Sequence, residues 1–335
     1  MNIFQLLTMF GGLAMFLYGM EVMGNGLKLL GGGKLESILE KLTKNKLMGV
    51  LLGAVVTAVI QSSSATTVMV VGFVNSGIMK LTQSISVMMG ANIGTTMTAW
   101  ILSLSDIQGG SFIANLFKPE TFTPVLAVIG IILIMMAKKD KNKHIGTILI
   151  GFAVLMFGME TMSSSVDDLK QSEQFAQMFI MFSNPILGFI VGAVLTAIIQ
   201  SSSASVGILQ ALSIGGGISY ATAIPIIMGE NIGTCITAIL SAIGASKNAK
   251  RAAMANLYVK FISAVLFMVV FYAINAVVHF AFMDMDINAF YIAVIHTLFN
   301  VVSTIILLPF TNLIEKLVRM TIKEGAEKNE FAILD

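Results

Sequence analysis

The sequence predicts an all-α membrane protein built from two inverted-topology repeats, each with a re-entrant helical hairpin and a broken helix. Three observations carry this: an apolar composition, a repeat at one constant lag, and loop charges that swap sign between the halves. Of 335 residues, 56% are hydrophobic and 11% charged, against roughly a quarter charged in a soluble domain. The mean hydropathy is +0.89. Runs such as Ile145–Met159 and Phe261–Phe282 approach or exceed the ~20 residues that cross a bilayer as a helix. Met1–Gly26 lacks a basic start and a small-residue cleavage site, so it reads as a retained helix rather than a signal peptide. A net charge of +2 gives nucleic acid no electrostatic footprint, and the single Cys235 forms no internal disulfide.

A shift of 139 residues aligns three blocks without a gap. Gly12–Met23 meets Gly151–Met162 with 6 identities in 12, and Val50–Thr66 meets Phe189–Ser205 with 11 in 17. Met88–Ala99 meets Ile227–Ala238 with 8 in 12. The matches fall on Gln, Ser, Asn and Gly, which chance similarity between apolar helices does not supply. This is duplication.

Orientation follows from Lys and Arg, which concentrate in cytoplasmic loops. Lys28, Lys34, Lys41, Lys44 and Lys46 follow the first helix, whereas the matching loop carries Asp167, Asp168 and Glu173 with only Lys170. The next pair swaps: Asp106 and Glu120 in the first half, Lys247, Lys250 and Arg251 in the second. Lys138, Lys139, Lys141 and Lys143 put the inter-repeat loop inside. Corresponding loops therefore lie on opposite faces.

The elements follow in order. A span over 3–27 enters the cytoplasm, and a hairpin over 47–75 enters and leaves from there. Spans over 84–104 and 122–137 go out and back. The second half repeats this upside down, with a span at 145–163, a hairpin at 185–214 and a span at 222–243. Helices at 252–282 and 289–309 close the fold, giving seven crossings, N-terminus outside and C-terminus inside. As units, these are repeat 1 (1–140), repeat 2 (141–285), a closing helix (286–312) and a cytoplasmic tail (313–335), in a multi-pass protein of the cell (inner) membrane.

Polar clusters inside apolar sequence carry the chemistry. Gln61, Ser62, Ser63, Ser64, Thr66 and Thr67 crowd into seven positions, and Gln200, Ser201, Ser202, Ser203 and Ser205 repeat them. Packing of small polar residues explains one such cluster, less readily two at one place in a repeat. A hairpin tip near mid-membrane exposes the free amides and positive dipole end of its second helix. Hydroxyl and amide donors there suit an oxyanion, while the oxygens equally suit sodium. In Gly90-x-Asn92-Ile93-Gly94-Thr95 and Gly229-x-Asn231-Ile232-Gly233-Thr234 the glycines allow unwinding, and Asn and Thr offer oxygens. Glu230 stands opposite Ala91 and is an intramembrane carboxylate, a candidate sodium ligand or proton acceptor. Glu21 and Glu160, near helix ends, read as structural, as do His296 and Asn300. Adjacent serines without a base make no nucleophile, so no enzyme is expected.

At QSSSATT, GANIGTT, QSSSAS and GENIGTC the chain resembles the type II sodium/phosphate cotransporter family, in its bacterial branch, over nearly all of 1–312. The resemblance implies sodium-driven uptake of inorganic phosphate. It assigns phosphate to Gln61, Ser62, Ser63, Ser64, Gln200, Ser201, Ser202 and Ser203. It assigns sodium to Thr66, Asn92, Thr95, Ser205, Asn231, Thr234 and Glu230. Cys235 replaces Thr96 in the second copy, which removes that hydroxyl. Sodium is then a co-transported ligand and no cofactor is expected. Expected partners are phosphate, sodium and the bilayer; a homodimer and a cytoplasmic regulator stay open. Alternatives are an oxyanion channel, a membrane phosphate sensor, or a symporter of another anion with proton coupling through Glu230.

Overall fold

A computed structural model describes residues 3–31, 45–106, 119–165, 181–214 and 216–323. The loop charges Lys34, Lys41, Lys44, Asp167, Asp168, Lys170 and Glu173 lie outside the described residues, as does the tail beyond 323. The described residues form helices joined by turns and short irregular connections, with one isolated bridge between Ser219 and Asp286.

Helix α1 (Ile3–Gly31) leads to a hairpin of α2 (Lys46–Ile60) and α3 (Ser63–Asn75), then α4 (Leu81–Ser103) and α5 (Pro119–Met136). Helix α6 (Asp140–Ser165) opens the second half, followed by a hairpin of α7 (Pro185–Ile199) and α8 (Ser202–Ser213). Next come α9 (Tyr220–Gly233), α10 (Cys235–Ser241) and α11 (Lys247–Val278). Helices α12 (Ala289–Leu307) and α13 (Thr311–Thr321) end the described chain. The hairpin arms are 12 to 15 residues long, or about 18–22 Å at the rise of an α-helix. That falls short of the ~30 Å hydrocarbon core, as a re-entrant element requires.

Among the described residues, six helices are long and apolar enough to cross a membrane. The seventh expected span, α5, has 18 residues, and its apolar part, Thr121–Met136, is shorter than those six. Much of the outer surface is apolar: Phe4, Leu7 and Phe10 on α1, Met135 and Met136 on α5, and Val269 and Val277 on α11 are exposed. Such a surface fits lipid, and the protein is a multi-pass membrane protein.

Close backbone approach sets the helix pairs. Gly12 meets Gly158 and Gly19 meets Gly151 where α1 and α6 run antiparallel. Shifting either contact by the repeat lag produces the other. The first arm of each hairpin instead runs parallel to the helix that follows the hairpin, α2 to α4 and α7 to α9. A Cβ at Gly90 of α4 would collide with the Val50 carbonyl of α2, and one at Gly229 of α9 with that of Phe189 on α7.

This close packing corrects one expectation. Helix α4 runs unbroken through Gly90 and Gly94, so these glycines admit a neighbouring backbone rather than unwinding their own. Only the second copy is interrupted, at Thr234 between α9 and α10. The expected tail also starts as structure. Thr311, Ile314 and Val318 of α13 are buried, and Thr82 donates to Glu315 (2.8 Å). Arg251 donates twice to the Ile322 carbonyl, which ties α13 to the start of α11.

Candidate phosphate and sodium site

Both hairpins turn by the same local geometry. Gln61 caps α2 in the left-handed region (φ 58, ψ 25), its N–H donating to the Thr57 carbonyl. Gln200 does the same for α7 (φ 59, ψ 22) onto Thr196. The next serine is extended and caps the second arm. Ser62 Oγ accepts from the Ala65 amide (3.1 Å), and Ser201 Oγ from the Ala204 amide (3.2 Å). Ser62 and Ser201 are thus helix N-caps, their hydroxyl oxygens already engaged by their own helices. The amides of Ser63 and Ser64, and of Ser202 and Ser203, have no partner among the described residues. Four backbone donors and two positive helix ends therefore stand at the tips.

The tips meet. Ser64 Oγ lies 3.4 Å from the Gln200 carbonyl oxygen, to which it donates. Thr98 of α4 donates to Gln61 Oε1 (2.9 Å) and accepts from Ser203 Oγ (3.3 Å). Gln61 Nε2 donates to the Ala58 carbonyl. Ser63, Ser202 and Ser203 are buried, whereas Gln200 is exposed.

Just past each tip the copies diverge. In the first, Thr57 donates to Thr66 across the hairpin (3.0 Å), and Thr66 donates to the Ser62 carbonyl (3.1 Å). In the second, Ser205 turns instead to Glu230 Oε1 (2.8 Å). That leaves the hydroxyl of Thr196, the counterpart of Thr57, buried without a partner, along with Glu230 Oε2. Glu230 is fully buried, and an unpaired buried carboxylate oxygen is costly.

A second polar locus lies deeper on α4. Asn92, six residues before Thr98 and so about 9 Å along the axis, shares a small cavity with its counterpart Asn231. Lys260, Asn300, Ser303 and Thr304 line it as well, and it has room for about one water molecule. Thr234 Oγ1 donates to the Asn231 carbonyl (2.8 Å) and accepts from Lys260 Nζ (2.8 Å). Thr95 donates to Ala91 in its own helix (2.9 Å).

The sequence profile of the Na+/Pi-cotransporter family matches twice, over residues 15–164 and 154–291. The chain belongs to that family. Its members are transporters that carry sodium as cargo, so the chain is not an enzyme. An uncharacterized protein of Bacillus subtilis, YqeW, is 31% identical over 92% of this chain and 95% of its own length. The putative inorganic phosphate export protein YjbB of Escherichia coli is 24% identical over 96% of this chain. Only 56% of the YjbB sequence is covered, so the chain spans a little over half of that relative. Human sodium-dependent phosphate transport protein 2B is 30% identical over 119 residues, 35% of this chain and 17% of its own. No solved structure matches significantly.

Within this Na+/Pi-cotransporter chain, sequence reasoning overlooked Thr98 and Lys260, and with them Thr196, whose hydroxyl is buried without a partner beside the second tip. Thr98 bridges the tips; its signal was identity with Thr237 at the repeat lag, lost among commoner matches. Lys260 is buried about 20 Å along α11. A lone lysine in an apolar run was a readable signal, masked by the basic cluster at the start of the same helix.

Proposed function

We propose that this chain is a secondary transporter moving inorganic phosphate with sodium, the two hairpin tips together forming one phosphate site. The observation that supports this best is the meeting of two capped helix N-termini, with Ser64 against Gln200 and four unpartnered tip amides. Neutral donors on positive helix ends hold an oxyanion without the permanent countercharge that would trap it. Phosphate would be held by Ser63, Ser64, Ser202 and Ser203 through hydroxyls and amides, with Gln61 and Gln200 framing the turns. Ser62 and Ser201 hold the helix ends in place.

Sodium suits the oxygens beside the tips: Thr66, and Ser205 with Glu230 and the orphaned Thr196 hydroxyl. Asn92 and Thr95 offer a further set in the first copy, Asn231 and Thr234 in the second. The halves are proposed to have inverted topology, N-terminus outside and C-terminus inside. The loop charges support it, as do contacts between α1 and α6 that exchange under the repeat lag.

Direction belongs to the gradients rather than to the site. With sodium higher outside, a coupled carrier imports phosphate, the direction proposed here; the YjbB relatives are named for export. A second reading, proton coupling, is favoured by the unpaired Glu230 oxygen. Labelled phosphate flux in proteoliposomes separates them. Accumulation is expected with an imposed sodium gradient at equal pH, reversing when the gradient is reversed. Flux that ignores sodium and follows a pH gradient would show that protons drive it, and equilibration without accumulation would show a channel.

A further inference from the structure

The Asn92–Asn231 cavity contains the makings of a cation site. Asn231 donates Nδ2–H to the Ile227 carbonyl (3.2 Å), and Asn300 donates its own to the His296 carbonyl (2.8 Å). Each amide is thereby tied to its own helix through nitrogen, which leaves the oxygen free to accept. Thr304 and Ser263 likewise spend their hydroxyl protons on backbone carbonyls, of Met89 and Val259. The lining is therefore rich in acceptors. Oxygens from amides and hydroxyls are what a hard cation takes as ligands.

The formal charge in that lining is Lys260. It is 4% exposed, and its Nζ donates to Thr234 Oγ1 at 2.8 Å. Among the described residues Lys260 makes no ion pair with a carboxylate. A buried ammonium is expensive unless surrounding groups replace its hydration; the Thr234 hydroxyl oxygen supplies one such contact, and Lys260 shares the cavity with the amide and hydroxyl oxygens of Asn231, Asn300 and Ser303. An ammonium is also a compact point charge with three donors, close to sodium in what it asks of its neighbours. The first copy has no equivalent: Thr95, like Thr234, donates to its own helix, but among the described residues no lysine donates to Thr95.

We propose that Lys260 is a tethered cation that fills the Asn231–Thr234 ion site, so that the duplicated oxygens take up one sodium fewer than their number suggests. Its consequence for coupling rests on the sodium–phosphate reading above; the occupancy itself does not. The second repeat would then hold its positive charge through every transport cycle, while the first exchanges sodium with solution.

The test is equilibrium binding of radiolabelled sodium to purified protein in detergent. Lys260→Gln is expected to bind one more sodium per chain than the parent, and Lys260→Ser, smaller and still an oxygen donor, likewise. Sodium should also stabilise both variants more than the parent, raising their melting temperatures, because it replaces the missing ammonium. An unchanged sodium count in either folded variant overturns the proposal. So does the loss of both variants to aggregation at every sodium concentration, since added sodium should rescue them. Phosphate flux is scored separately. If the parent moves no phosphate with sodium but the variants gain a sodium, the transport reading fails and the tethered cation stands. If sodium-driven flux is intact and no sodium is gained, the tethered cation alone fails.

Discussion

Alanine at Ser63 or at Ser202 is expected to raise the half-saturating phosphate concentration roughly 10- to 100-fold, the equivalent of ~1.5–3 kcal/mol for one charge-assisted hydrogen bond. Each serine opens the second arm of its hairpin, and each is buried. Their caps are the preceding serines, so folding should be little affected. Ser86→Ala is the control, because the Ser86 hydroxyl is buried with no partner and contributes no bond to lose. Ser62→Ala and Ser201→Ala should behave differently again. Loss of an N-cap costs about 1 kcal/mol of stability, so melting temperature should fall in both. Initial rates against phosphate concentration, with melting curves on the same preparations, separate these outcomes. Unchanged affinity in both Ser63→Ala and Ser202→Ala would mean that the clusters serve packing.

Glu230→Gln is expected to raise the sodium concentration needed for half-maximal flux by about tenfold or more, again from the worth of a charge-assisted contact. The amide oxygen can still accept from Ser205, so the local fold is kept while the charge facing a cation is lost. Phosphate affinity at saturating sodium should change much less. The measurement is flux against sodium at fixed pH, in parent and variant. If sodium dependence is unmoved and pH-driven accumulation disappears instead, Glu230 carries a proton and the coupling ion is wrong.

Repetition made the two matching helical hairpins legible in the sequence. The Gln-Ser-Ser-Ser clusters declared both hairpin tips, because no helix keeps four polar residues amid apolar sequence without a reason in the interior. The same turn, with Gln61 and Gln200 both left-handed, follows from the same local sequence. What misled was tertiary. Whether Gly90 and Gly94 unwind α4 or admit a neighbour depends on α2 lying alongside, its Val50 carbonyl at the glycine. No single segment contains that fact. The serine runs likewise hid a division of labour, since capping by Ser62 and Ser201 appears only once the helix start is known to the residue. Lys260 was visible as a charge but not as a neighbour of Thr234, which needs α11 placed against α9. Polar residues dominate the α13 sequence and give it the look of a tail; its apolar stripe of Ile314 and Val318 becomes meaningful only against the protein it covers.

The shared site is tested most directly by counting phosphate. Purified protein, equilibrated with labelled phosphate in sodium and in a large organic cation, should bind one phosphate per chain, and only in sodium. Ser63→Ala and Ser202→Ala should each weaken that same single site. Two phosphates per chain, each weakened by one serine variant alone, would mean that the tips act separately. Binding indifferent to sodium would contradict the coupling.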